Sequence, residues 1–126
     1  MSIVSFRDLR VWQVGMELVE AVYALTRGFP SEERHVLTAQ LRRAAISIPS
    51  NLSEGHQHGG RTYRHHVTIA IGSLAEAETQ IELARRLQLT TPDRLIPATT
   101  LIAVLRPQLH KLRRSLNGPR DPIPDP

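Results

Sequence analysis

The 126-residue chain contains no cysteine. That excludes disulfide staples and thiolate metal sites, and it makes a reducing cytoplasm the simplest compartment. Long apolar runs are also missing, since charged residues interrupt every hydrophobic stretch short of the roughly 20 residues a membrane helix needs. The opening Met1-Ser2-Ile3-Val4-Ser5-Phe6-Arg7-Asp8 has neither the apolar core nor the small-residue cleavage site of a secretion signal. A soluble, cytoplasmic protein with no membrane partner is expected. Aromatic residues amount to 4% of the chain: Phe6, Trp12, Tyr23, Phe29 and Tyr63. Most fall on apolar helix stripes, which argues against binding single-stranded nucleic acid by stacking bases on exposed rings. Lysine is nearly absent, Lys111 being the only one.

Arginine is what the chain has in its place. The formal charge is +4 and the pI near 10.6. Guanidinium groups contact phosphate and carboxylate bidentately, so the balance leans toward a polyanionic partner. Arginine on solvated helix faces is the plainer and favoured account of an excess of this size. The basic residues group as Arg42-Arg43, Arg61-x-x-Arg64-His65-His66, Arg85-Arg86 and Lys111-x-Arg113-Arg114. Spread over three helices they make a weak phosphate-binding case, but repeated around an oligomer they merge into a larger positive surface. The candidate nucleic-acid-binding residues are therefore Arg42, Arg61, Arg64, Arg85, Arg86, Lys111, Arg113 and Arg114.

Hydrophobic spacing predicts four helices, at about 8–27, 32–55, 62–88 and 92–117, within a bundle at 1–118. In the first, with Asp8 as cap, Leu9, Trp12, Met16, Val19 and Tyr23 form one apolar seam; Val11, Val14, Leu18, Val22 and Leu25 form a second. Two seams suit a helix that packs into its own bundle and against another subunit. The second helix, capped by Ser31, carries Leu37, Leu41, Ala44, Ile48 and Leu52; Pro49 inside this run predicts a kink. His56–Arg61, with Gly59-Gly60, reads as a loop. The third helix carries Tyr63, Val67, Ala70, Leu74, Ala77, Ile81 and Ala84, and Gly72 marks a place of close packing. Thr91-Pro92-Asp93 opens the fourth, with Ala98, Ile102, Leu105, Leu109, Leu112 and Leu116 on one side and Pro107 off the seam. Asn117-Gly118-Pro119 terminates it, and the proline-rich 119–126 is expected to be a disordered tail. The fold class is all-α, an antiparallel up-down-up-down four-helix bundle.

A polar line runs beside the apolar seam of the second helix. Gln40, Arg43, Ser47, Asn51 and Glu54 lie 3, 4, 4 and 3 apart, along one edge. Ser73, Glu76 and Gln80 form a matching line on the third helix. In an antiparallel hairpin whose level residues sum to about 119, Gln40 meets Gln80, Arg43 meets Glu76 and Ser47 meets Ser73. Ala44 meets Leu74, Ile48 meets Ala70 and Leu52 meets Val67 in the same register. These eight polar residues are expected to form a structural network clipping the two helices, with a partly buried Arg43–Glu76 pair fixing the register. An ordinary solvated edge is the alternative.

Signals for chemistry are poor. His56, His58, His65 and His66 cluster, and His56-x-His58 with His65 or Glu54 could clamp a divalent ion, but the spacing matches no specific motif. They are read as loop histidines, with no metal and no cofactor. Glu76, Glu82 and His66 superficially suggest a di-iron bundle, yet the paired Glu-x-x-His that such sites need is missing. Gly59-Gly60 lacks the Lys-Ser/Thr of a phosphate loop, and no catalytic triad can be recognised. The reading is non-enzymatic.

The run from Gln40 to Gly55, QLRRAAISIPSNLSEG, resembles the signature segment of the four-helix-bundle proteins encoded in 23S rRNA intervening sequences. Phe6-x-Asp8-Leu9-x-Val11-Trp12-Gln13 and Ala70-x-Gly72-Ser73-Leu74-x-Glu76 are similar to that family as well. The resemblance spans about residues 6–116. It implies a four-helix monomer assembled as a ring-like homopentamer, with no assigned activity. It also implies a likeness to the bundle accessory proteins of diversity-generating retroelements, which bind nucleic acid through basic surfaces. By position the family's hallmark residues are Arg43, Ser47, Asn51, Glu54, Gly55, Ser73 and Glu76. Ser53 stands where alanine is usual, and Pro97 and Pro107 depart from the family's fourth helix. A homo-oligomer binding RNA or an RNA-processing partner is the leading expectation; a protein-interaction scaffold without nucleic-acid contact is the alternative.

Overall fold

A computed structural model describes residues 5–116 of the chain. The expected tail at 119–126 lies outside them. Four helices, α1 (Arg10–Thr26), α2 (Leu37–His58), α3 (Gly60–Arg86) and α4 (Ile96–Ser115), make an all-α four-helix bundle, and no strand occurs among the described residues.

Three of the expected helix starts are corrected. Asp8 does not cap α1. It ends a short 3-10 turn, Phe6–Asp8, in which Ser5 and Asp8 form a reciprocal capping box, and α1 begins two residues later. Ser31 likewise opens a separate turn, Ser31–Glu33, and α2 starts only at Leu37, whose N–H donates to the Glu33 carboxylate at 3.4 Å. Thr91-Pro92-Asp93 begins a third turn, Pro92–Leu95, before α4 starts with Pro97 in its first turn. In each case a single 3-10 turn precedes the helix, and the apolar repeat takes over afterwards.

The core follows the seams. Val11, Val14, Leu18, Val22 and Leu25 of α1 are buried, as are Leu41, Ala44, Ile48 and Leu52 of α2 and Ile102, Leu105 and Leu109 of α4. All seven seam positions of α3 are buried. Each fully enclosed leucine, such as Leu18 or Leu105, contributes roughly 1.5–3 kcal/mol of transfer free energy. The other α1 seam is only partly covered: Leu9 is buried, Trp12, Val19 and Tyr23 are half-buried, and Met16 is 40% exposed. α2 continues through the buried Pro49, against which α1 packs at Gly15; a Cβ there would sit 3.7 Å from the proline ring.

The α2–α3 connection is tighter than the glycine-rich sequence suggests. α2 runs to His58 and α3 starts at Gly60, so the expected His56–Arg61 loop shrinks to Gly59 alone. Gly59 and Gly60 have φ of 73° and 59°, a left-handed pair that reverses the chain where side-chain-bearing residues would be strained. The close approach predicted at Gly72 is also misplaced. Gly72 is exposed with nothing within 4 Å of a Cβ, whereas a Cβ on Gly55 would lie 2.8 Å from His66 Cβ and 3.3 Å from Tyr63 Cα.

Candidate functional site

The tight hairpin positions the polar seam. Ser47, half-buried on α2, shares a 2.8 Å hydrogen bond with the buried Ser73 of α3. One turn on, Asn51 Nδ2 donates to Ser47 O at 2.8 Å and to Ser47 Oγ at 3.0 Å. That orientation leaves Asn51 Oδ1 facing His66 Nδ1 at 2.8 Å. An amide oxygen only accepts, so Nδ1 of His66 carries the proton. The chain Ser73–Ser47–Asn51–His66 thus crosses between α2 and α3 with each polar group paired, as a partly buried network requires.

The outer members of the predicted network take no part. Gln40, Arg43, Glu54 and Glu76 are exposed, and no ion pair joins Arg43 to Glu76. The expected buried pair is replaced by two solvated side chains whose charges are served by water. Gln80 is buried at 8% exposure, but its Oε1 has no partner and the exposed Gln40 does not reach it. His66 is absent from the 3-4 spacing that picks out the others; its level in the register, 51 opposite 66, is the signal that marks it.

The remaining histidines stack on one another and on Tyr63. His58 and His66 rings lie 6.5 Å apart, His65 and His66 5.8 Å, and His56 packs edge-on to Tyr63 at 5.7 Å. No three acidic or histidine side chains converge to hold an ion among the described residues. The Tyr63 hydroxyl is buried without a partner, and burial pushes its pKa up from the usual phenol value.

The eight candidate cations divide between the two ends of the bundle. Arg42 is half-buried, its Nε donating to Thr26 Oγ1 at 2.8 Å and its guanidinium resting 4.3 Å over the Tyr23 ring. Arg85 and Arg86, at the same end, both bond to Glu82, whose carboxyl is held down at about 2 by those two hydrogen bonds. Near the hairpin turn lie Arg61 and Arg64, each already engaged in an interaction. Lys111 and Arg114 are exposed on the last turns of α4, and Arg113 is half-buried beside His110. The eight do not form one patch. Arg7 and Arg10 join the hairpin end, where Asp8 and Glu54 are the acids, while Glu32, Glu33, Glu82 and Asp93 sit among the arginines of the other end.

A family model described as 23S rRNA-intervening sequence protein matches residues 7–111. The match covers α1, α2, α3 and most of α4, and with them every residue of the Ser73–Ser47–Asn51–His66 chain. A search of curated proteins returns no match to the chain.

Proposed function

The chain belongs to the 23S rRNA-intervening sequence protein family, and from that premise we propose that it is a non-enzymatic, homo-oligomeric bundle that binds RNA through a basic surface. The observation that carries the reading is the unequal charge of the two ends. Among the described residues, segments 5–10 and 111–116 carry Arg7, Arg10, Lys111, Arg113 and Arg114 against Asp8 alone. Phosphate contacts from such a surface act together and release counterions, so several copies in a ring strengthen binding steeply.

Assembly is supported by the outer α1 seam. Trp12, Met16 and Val19 line an apolar groove with Ile46 and Pro49 of α2, at the edge of the core, where Met16 and Ile46 are each 40% exposed. Burying those side chains against a second copy removes apolar surface from water. The same groove is what favours the second reading, a protein-interaction scaffold.

RNA binding by the purified protein across a salt series separates the two readings. Affinity should fall with rising salt, and a double Arg113→Glu, Arg114→Glu variant should bind at least tenfold more weakly with an unchanged melting temperature. No binding even at low salt would remove the RNA reading and leave the scaffold. A monomer by light scattering at micromolar concentration would remove the oligomer.

A further inference from the structure

At the end of the bundle opposite the hairpin turn, a recess of about 260 Å³ opens between the end of α1 and the start of α2. Its polar lining is Arg27, Arg34 and Arg42 with the hydroxyls of Thr26, Ser31 and Thr38, and no carboxylate takes part. Arg42 is held in place, its Nε on Thr26 Oγ1 and its plane on the Tyr23 ring, which leaves the outer guanidinium edge as the donor face. Thr26 in turn donates to Val22 O at 2.8 Å, so the hydroxyl that orients Arg42 is itself fixed. Neither Arg27 nor Arg34 is paired with a carboxylate among the described residues. The nearby acids are Glu32 and Glu33, and Glu33 is turned to the Leu37 N–H.

Thr38 is the second, independent observation. It is only 7% exposed, and its hydroxyl makes no hydrogen bond within the described residues. The residue is enclosed while its hydroxyl oxygen stays open to the recess, where it can donate to an occupant.

We propose that this recess binds a terminal phosphoryl group, a dianion of the phosphate or phosphomonoester class. The volume decides between a phosphoryl group and a whole metabolite: it is smaller than the roughly 300–1,000 Å³ that enclose a drug-sized ligand. Three guanidinium groups match the double charge of a monoester better than the single charge of a bridging diester. The site lies apart from the hairpin-end surface and does not depend on RNA binding there.

The test is a titration of the full-length protein at constant ionic strength with inorganic phosphate, uridine 5′-monophosphate or uridine, read by calorimetry and by NMR shifts of the Thr38 amide. Phosphate and the monophosphate should bind saturably and uridine should not. Arg34→Ala should weaken phosphate binding roughly tenfold to a hundredfold, as expected for a lost charge-assisted hydrogen bond; Arg34 is exposed, so the variant should fold as the parent does. Thr38→Val, which removes a hydroxyl with no internal partner, should leave the melting temperature of the free protein unchanged and still weaken binding several-fold. Phosphate binding without monophosphate binding would identify the free ion as the ligand and keep the site. Absence of saturation by either, or affinities in Arg34→Ala and Thr38→Val equal to the parent, would overturn the proposal.

Discussion

The two helix pairs that share α3 are built differently, although both carry the same 4-3 apolar repeat. Against α2, α3 packs so closely that Gly55 leaves no room for a Cβ, and a continuous line of hydrogen bonds runs from Ser73 to His66. Against α4, α3 leaves a groove of about 730 Å³ lined by Glu78, Ile81, Glu82, Ile102 and Arg106, with a surface ion pair from Arg106 to Glu78 as its polar tie. The difference comes from side-chain size at the contact. Glycine and serine permit approach and enforce pairing of what they enclose, whereas the charged side chains along the α3–α4 groove remain in water. Specific alignment therefore belongs to the first pair and plasticity to the second.

The sharpest way to break this comparison is Gly55→Ala. Alanine raises helix propensity by nearly 1 kcal/mol at an unhindered site. Here its Cβ meets His66 Cβ at 2.8 Å and Tyr63 Cα at 3.3 Å, and neither neighbour is the free end of a flexible chain. Overpacking should win, with a net loss of about 1–3 kcal/mol by urea denaturation. A stable Gly55→Ala protein would mean that α2 and α3 are free to move apart.

Next in size is Asn51→Ala, which strands the Ser47 and His66 groups that Asn51 joins. A loss of about 1–2 kcal/mol is expected, measured as the same urea midpoint. The Asn51→Ala and His66→Ala effects should be non-additive, since one interaction is removed by either. Strict additivity would show that the line of hydrogen bonds is four separate surface contacts. The converse substitution is Gly72→Ala on the exposed side of α3. With nothing within 4 Å of the new Cβ, it should stabilise by about 0.5–1 kcal/mol. Opposite signs at two glycines of one hairpin would confine the close approach to Gly55.

Sequence periodicity reads the core of this molecule almost residue by residue, because burial of one helix face is a property of spacing alone. It reads the inner register equally well, since Ser47 opposite Ser73 follows from the same sum that aligns Ile48 with Ala70. What it misreads are positions decided by rotation of a few tens of degrees. Arg43 and Glu76 sit next to the seam in the pattern and outside it in space. Cap residues mislead for a related reason: Asp8 spends its capping chemistry on a 3-10 turn, and Ser31 and Thr91 stand at the start of such turns without capping them through their side chains. The recess at Thr38 is invisible to any periodic reading, as Arg27, Arg34 and Arg42 come together only when α1 and α2 are laid side by side.

The α3–α4 groove supplies the smallest effect. Glu82 accepts hydrogen bonds from Arg85 and Arg86, which lower its carboxyl from 4.5 to about 2. A carboxyl depressed in the folded state contributes stability that is fully present above its ordinary value and disappears as the pH falls through about 2. All three side chains are well exposed, with 44% of Glu82 accessible, so solvent screening leaves the gain slight. An NMR titration of the Glu82 carboxyl carbon should give a midpoint near 2, and the urea midpoints of the parent and Glu82→Gln should differ slightly at pH 6 and converge toward pH 2. The same substitution should unmask Arg85 and Arg86 and strengthen polyanion binding at that end. A Glu82 midpoint above 4, with no change in polyanion affinity, would mean that the two arginines move freely in solvent.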